Sequence, residues 1–520
     1  MIHIRRTSEA KQYKRTLNWS WKTCLEIFTL LYIGAEILCQ EFLMCYITSH
    51  YQPLAQFLST VKVGMLWAGF ALTAANVLFG MGWRSSRRVF LLYGVCIIDA
   101  LASFMATSDI KLAWIHKMMR ETTTVVLFYC AAKSVRKDFI RRWLHRFYWV
   151  SLFFWSAMCC LSLCQFALML GGDGALTTDI LLLRGIGYYG RRLYGAFNIL
   201  EYGAVTSLMI MLAGGYYFAR ARIGAERILL VLCNAPLLLY LVLSGSRNAQ
   251  VALYLSLFLG AGMVFLKRAS AFGNRDRNRL MAMVVALAVV ACAHLGYIAI
   301  QRGAGHVPRL FSSYSGILSQ NSAVQASSAD EGNNALDEGK ETETGLFDRI
   351  DVKEDISTNR FSIWKDYIGL WKEYGLFGLS STYDGRYIQE HHPDLFICEY
   401  IREYYPESYA KGSVYHPHNG YLKTLVSTGY LGFALLMLFL LGSVRDVWMA
   451  ICASKRIRPE LLFPLLMVAA GCSSTMFDLE LFFVFNPITY IFWLAFGILM
   501  EQAGKVKKPE TAGNKEIMNK

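Results

Sequence analysis

His418-Asn419-Gly420-Tyr421-Leu422-Lys423-Thr424-Leu425-Val426-Ser427-Thr428-Gly429-Tyr430-Leu431-Gly432 stands where a long polar, mostly acidic stretch ends and an apolar run continuing to Gly442 begins. The junction puts a histidine at the mouth of a membrane helix. At 100° per residue, Gly429 and Gly432 fall about 20° and −40° from His418, roughly three turns deeper on the same face. Glycines at those positions predict close approach by a neighbouring helix. The helix N-terminus offers a positive dipole and unpaired N–H groups to an anion. A lone interfacial histidine is more often a helix-end residue than a catalyst, so its neighbours decide.

Outward from this junction the chain reads as an all-α polytopic membrane protein. Of its 520 residues, 55% are hydrophobic and 17% charged, and the apolar runs recur at the roughly 20-residue length that crosses a bilayer. Twelve transmembrane helices are expected, at 25–47, 61–82, 89–107, 112–132, 147–170, 197–218, 228–244, 249–266, 280–300, 420–442, 460–478 and 482–500. A formal charge of +14 raises nucleic acid as a partner, but its placement argues against that. Lys and Arg collect at 5–22, 84–88, 133–146, 220–227, 267–279, 445–458 and 505–520, alternating with connections nearly free of them. This is the positive-inside pattern, with both termini cytoplasmic. The first apolar run, Cys24 to Ile47, is too long for a cleaved signal and is expected to stay as an anchor. The thirteen cysteines lie almost all in apolar runs, so no disulfide framework is expected.

Five regions follow: a cytoplasmic tail at 1–24, transmembrane helices over 25–300, an extracytoplasmic loop at 301–417, three more helices over 418–500, and a cytoplasmic tail at 501–520. Within the loop, 319–358 reads as disordered from its Ser, Asn, Asp, Glu and Gly content. Residues 359–378 read as an amphipathic helix on the membrane or over the bundle mouth. His116, Lys117, Arg120 and Glu121 occupy the outer half of the fourth helix and either line a polar groove or mark a later helix start, the second reading being favoured. Glu26, Glu36, Glu41 and Asp99 read as interhelical hydrogen-bonding or interface groups rather than a relay.

Independent arguments place Arg247, Arg360 and His418 at the outer face. Arg247 sits in the tight turn Ser244-Gly245-Ser246-Arg247-Asn248, and Arg360 opens the loop helix. A basic residue on the side that positive-inside depletes needs an anionic partner. Cations converging on one histidine suit a diphosphate leaving group and a nucleophile that needs a base. No Walker loop and no dinucleotide fingerprint appears, so the energy arrives in the substrate.

These residues resemble the O-antigen ligase and O-antigen polymerase family of bacterial envelope enzymes. The family signature, His-Asn, nine residues, then Gly-x-x-Gly, is matched by His418, Asn419, Gly429 and Gly432. Similar to the family are also Ser246-Arg247, the Arg-x-x-x-Trp of Arg360 and Trp364, the following Leu376-Phe377-Gly378, and Arg192, Gly195 and Phe197. The resemblance covers about 185–500. It implies a metal-independent glycosyltransferase without cofactor in the bacterial cytoplasmic (inner) membrane. The glycan would pass from undecaprenyl diphosphate to a sugar hydroxyl of a saccharide acceptor at the outer face. Arg247, Arg360 and Arg192 would hold the diphosphate, and His418 would activate or orient the hydroxyl. Asn419 would position an acceptor or cap the helix, with Trp364, Gly429 and Gly432 in support. Membrane lipid and polysaccharide assembly partners are implied; nucleic acid is not.

A zinc site at His391, His392, His416 and His418 is disfavoured by spacing, and Asp478-Leu479-Glu480 reads as a solvated helix end. The competing class is a membrane transporter or lipid-linked-oligosaccharide flippase. Against it, no half-repeat is evident and the large loop follows the ninth helix. Ligase and polymerase share the signature, so the sequence leaves that choice open.

Overall fold

The computed structural model describes residues 21–46, 48, 51–79, 88–106, 112–168, 187–189, 192–269, 275–310, 359–454, 456–478, 483 and 485–507. The expected disordered insert at 319–358 and most of both tails lie outside them. In chain order the helices are α1 (Trp21–Leu43), α2 (Gln52–Phe79), α3 (Val89–Ala106), α4 (Leu112–Thr123) and α5 (Lys137–Ala167). A two-stranded antiparallel hairpin follows, β1 (Gly187–Tyr189) with β2 (Arg192–Gly195). Then come α6 (Leu200–Arg220), α7 (Gly224–Leu243), α8 (Arg247–Ala269) and α9 (Arg275–Ala304). The loop contributes α10 (Arg360–Gly369), α11 (Asp384–His391) and α12 (Phe396–Tyr404), and the chain ends with α13 (Gly420–Ala453), α14 (Pro459–Ser474) and α15 (Pro487–Lys507).

Among the described residues, nine helices are long and apolar enough to cross a membrane: α1, α2, α3, α5, α6, α7, α8, α9 and α13. The fourth, eleventh and twelfth expected spans are helical too, as α4, α14 and α15. The chain is therefore an all-α polytopic membrane protein. Its core is a continuous apolar cluster in which Trp155, Phe128, Leu208, Tyr240, Phe439 and Trp493 are buried. Edge-on aromatic contacts of Tyr129, in the stretch after α4, with Phe439, Trp493 and Phe496 hold that stretch, α13 and α15 together.

α4 begins at Leu112, so the expected later start is wrong. Its polar residues have partners that support the helix. Lys117 lies 4.9 Å from the ring centre of Phe483 and 3.9 Å from Glu121, and Arg120 lies over Phe485 at 5.2 Å. The helix then loosens into a π-helical stretch, Thr124–Tyr129, before Cys130–Ser134. That wider turn presses the Tyr129 carbonyl against α15, where any Cβ at Gly497 would collide with it. The intramembrane acids act as hydrogen-bonding groups, as read: Glu36 accepts from Tyr490 at 2.9 Å and Gln40 at 3.2 Å, Glu41 from Ser151, and Asp99 from Ser381.

The loop folds as a unit on α13. Ile363, Tyr367, Leu370, Tyr374, Ile388 and Ile397 form its core, closed from below by Val426 of α13. The helix expected over 359–378 is shorter and ends at Gly369; the chain then runs through turns in which Gly375 and Gly378 take left-handed φ of 54° and 81°. Its Ile363 and Tyr367 face the loop's own core, while Phe361 and Ile368 stay exposed.

α13 is two helices across a kink. Gly429 has φ 61° and ψ −164° inside it, so the helical projection that aligned Gly429 and Gly432 under His418 does not hold. The loop segment 375–380 enters the break and takes up the freed backbone groups. Leu379 N donates to Val426 O at 2.8 Å and Ser380 N to Ser427 O at 3.1 Å. Below the break, Tyr430 N and Leu431 N donate to Gly375 O and Leu376 O, each at 3.1 Å. Irregular backbone at membrane depth persists only when so satisfied. Gly378 and Gly429 meet backbone to backbone, and a Cβ on either would overlap the other's strand. At Gly432 the nearest atoms are those of the Thr428 side chain in the same helix.

Candidate active site

The site gathers at the end of the bundle where α13 begins. Asn419 is the N-cap of α13, its Oδ1 accepting from Tyr421 N and Leu422 N at 3.0 Å each. Such a cap is worth about 1 kcal/mol. Of the two roles expected for Asn419, the geometry supplies the cap. Immediately before it, His418 takes φ 43°, a left-handed conformation unusual for a side-chain-bearing residue. Holding it there costs about 1–3 kcal/mol. Trp364 of α10 supports the turn by donating Nε1 to Pro417 O at 2.8 Å.

His418 does not stand alone. Its Nδ1 lies 3.7 Å from Asp478 Oδ1, with the histidine side chain 22% exposed and the aspartate 8%. That distance is in ion-pair range and longer than a hydrogen bond, and catalytic contacts are often loose before substrate binds. Asp478 is therefore no solvated helix end. The residues after α14 fold back beneath α13, with Gly420 N donating to Thr475 O at 2.8 Å and to Asp478 O at 2.9 Å. This bifurcated contact seats the carboxylate beside the ring.

The predicted cations lie on elements packed at the same end of the bundle. Arg247 opens α8, and its neighbour Asn248 donates to Ser474 Oγ at 2.8 Å, tying the Ser246-Arg247 turn to the end of α14. Arg192 of β2 reaches the same turn, with Nε 3.4 Å from Ser244 O, and pairs with Glu201 of α6 at 2.8 Å. Arg360 lies near enough for its charge to act on Glu201, Tyr415 and His416. All four predicted polar residues, Arg192, Arg247, Arg360 and His418, thus come to one end of the bundle. Gly429 and Gly432 do not join them and belong to the break in α13.

Rings surround the histidine. His416 lies 3.9 Å and Tyr415 5.2 Å from the His418 centroid, and Tyr415 continues to Tyr400 at 4.7 Å. His416 is exposed at the surface of the loop unit, with Tyr415 and His418 packed against it. The crowding of protein atoms around the exposed ring first, then the neighbouring His418, push its pKa down, to about 3. His391 stacks on Tyr387 at 4.3 Å, and His392 Nε2 lies 2.8 Å from Glu373. Among the described residues no group of three or more His, Cys, Asp or Glu is placed to hold a metal ion.

A polytopic helical bundle with a folded loop over one end, and a histidine, a carboxylate and several arginines beneath it, defines a membrane protein with a polar site at its surface. Residues 232–437 match the family described as O-antigen ligase, so this stretch of the chain is similar to that family. The match spans Arg247, Arg360, Trp364, His418, Asn419, Gly429 and Gly432, and leaves Arg192 and Asp478 outside it. Compared with the curated proteins, the chain matches none.

Proposed function

We propose that this protein transfers a glycan from a polyprenyl-diphosphate donor, undecaprenyl diphosphate in bacteria, to a sugar hydroxyl at the outer face of the inner membrane. The match of residues 232–437 to the O-antigen ligase family supports glycan transfer in general. The observation that carries the finer reading is the His418–Asp478 pair, 3.7 Å apart, at the mouth of α13.

In this reading His418 presents Nδ1–H to Asp478 and keeps the Nε2 lone pair for the acceptor hydroxyl. The acceptor oxygen bonds to the anomeric carbon as its proton passes to Nε2. The bond from that carbon to the donor diphosphate breaks, and its electron pair leaves with the diphosphate. One displacement inverts the anomeric configuration. Arg247 and Arg360 hold the developing negative charge, worth most in a site screened from water. Arg192, already paired with Glu201, holds the Ser244–Arg247 turn in place. Polar residues on one end of a bilayer-spanning bundle suit a donor whose lipid stays in the membrane while its glycan lies outside.

The test is the purified chain in nanodiscs, given a saccharide acceptor and either a diphosphate-linked or a monophosphate-linked polyprenyl oligosaccharide, with products read by mass spectrometry. Transfer from the diphosphate donor alone is expected, and a ladder against a single addition separates polymerase from ligase. No glycan change with any diphosphate donor would overturn the reading.

A further inference from the structure

A cavity of 380 Å³ opens at the other end of the bundle, between α5, α6, α14 and α15. It is remote from His418: α6 carries Glu201 at the site in its first turn and Arg220 at this cavity in its last, about 29 Å along the helix axis. Its depth is apolar, walled by Ile37, Phe147, Met209, Ile491, Leu494 and Ile498. From Lys505 to Ile491 it follows about 21 Å of α15. One leaflet of a hydrocarbon core is about 15 Å deep. The cavity is thus long enough to take a lipid chain lying parallel to the helices.

Its mouth is charged. Arg220 pairs with Glu460, and Lys505 lies 3.5 Å from Glu501. Lys137 and Arg141 also line it, with Glu226 as one further acid. They are four residues apart on α5 and so share a face, an arrangement that is repulsive without an anion between them. Both also lie close enough to Lys505 for their charges to act on it. Three cations thus crowd one rim above an apolar cleft.

We propose that this cavity binds a membrane glycerophospholipid with an anionic headgroup. The phosphate sits among Lys137, Arg141 and Lys505, and one acyl chain fills the cleft toward Ile491 and Ile37. A soluble anion has no use for the apolar wall, and a zwitterionic lipid brings a cation back to a rim already rich in them. The site is independent of glycan transfer and needs none of the residues proposed for it.

Native mass spectrometry of the full chain, titrated with phosphatidylglycerol or phosphatidylcholine of the same acyl chains, tests this. Phosphatidylglycerol is expected to be retained preferentially, and Lys137→Gln with Arg141→Gln to weaken it by about fivefold per charge removed. Arg141→Lys is expected to keep the preference. Ala213→Trp, which fills the cleft and leaves the rim charges intact, is expected to abolish retention, and glycerol phosphate without chains not to compete. Equal retention of the two lipids by the native chain would overturn the proposal even if the double variant fails to fold. So would full retention by Ala213→Trp, or competition by glycerol phosphate.

Discussion

At the residue scale, His418 has the chemistry and the most constrained backbone of the site. Its φ of 43° is imposed between Pro417, held by Trp364, and the cap residue Asn419. Asn419→Ala is expected to destabilise the protein by about 1 kcal/mol through loss of the cap, with a lowered Tm as the measure. If Asp478 orients the ring, Asp478→Asn should slow transfer while donor binding is kept. A fall in donor affinity with unchanged turnover would instead make Asp478 part of the donor site.

His416 carries the pH prediction. Its pKa is pushed down to about 3 in the folded protein, against about 6.5 for a free histidine. Between those values the unfolded chain binds a proton that the folded one does not, so stability falls as pH falls through that window. Thermal melts at pH 5 and pH 7.5 should differ in that direction, and His416→Gln should narrow the difference. The histidine itself was plain in the sequence. Asp478 was not, because sixty residues of helix separate it from His418 and only the tertiary fold-back after α14 brings them together.

At the element scale, the break in α13 organises the loop. The Gly-x-x-Gly spacing and the Leu376-Phe377-Gly378 segment were both legible as motifs, yet their partnership was not. A helical projection assumes 3.6 residues per turn through every position, and a left-handed glycine ends that assumption. Nothing local distinguishes a glycine that lets another helix approach from one that lets a loop enter. The geometry makes Gly429 the stricter of the pair. Gly429→Ala places a Cβ at φ 61° and into the loop backbone, where strain alone costs about 1–3 kcal/mol. Gly432→Ala also meets a close contact, with Thr428 Cβ and Oγ1, but its backbone is not left-handed and the contact is with a side chain of the same helix, so it carries the crowding without the φ strain. The expected outcome is a larger drop in Tm and a greater rise in protease cleavage of the loop for Gly429→Ala. Equal effects would show that segment 375–380 does not depend on the break. The same reasoning explains α10, whose pattern looked longer than its helix because the apolar spacing runs on past Gly369 into turns.

At the scale of the whole molecule, apolar run length and the alternation of basic segments were enough to read a polytopic bundle, because bilayer thickness and backbone hydrogen bonding leave few alternatives. Basic-segment alternation also predicts which side each end faces. Cysteines introduced at exposed Ser413 and exposed Arg222 should label oppositely with a membrane-impermeant maleimide on intact cells, Ser413→Cys strongly and Arg222→Cys only after permeabilisation. The reverse pattern would put the histidine on the inside and remove the proposed acceptor.

The most direct measurement is turnover of His418→Ala beside the native chain in nanodiscs, at saturating diphosphate-linked donor. The account predicts a loss of at least about a hundredfold with donor still bound, the usual contribution of a positioned general base. Turnover within a few-fold of native would contradict it, leaving His418 as a helix-end residue and the chemistry elsewhere.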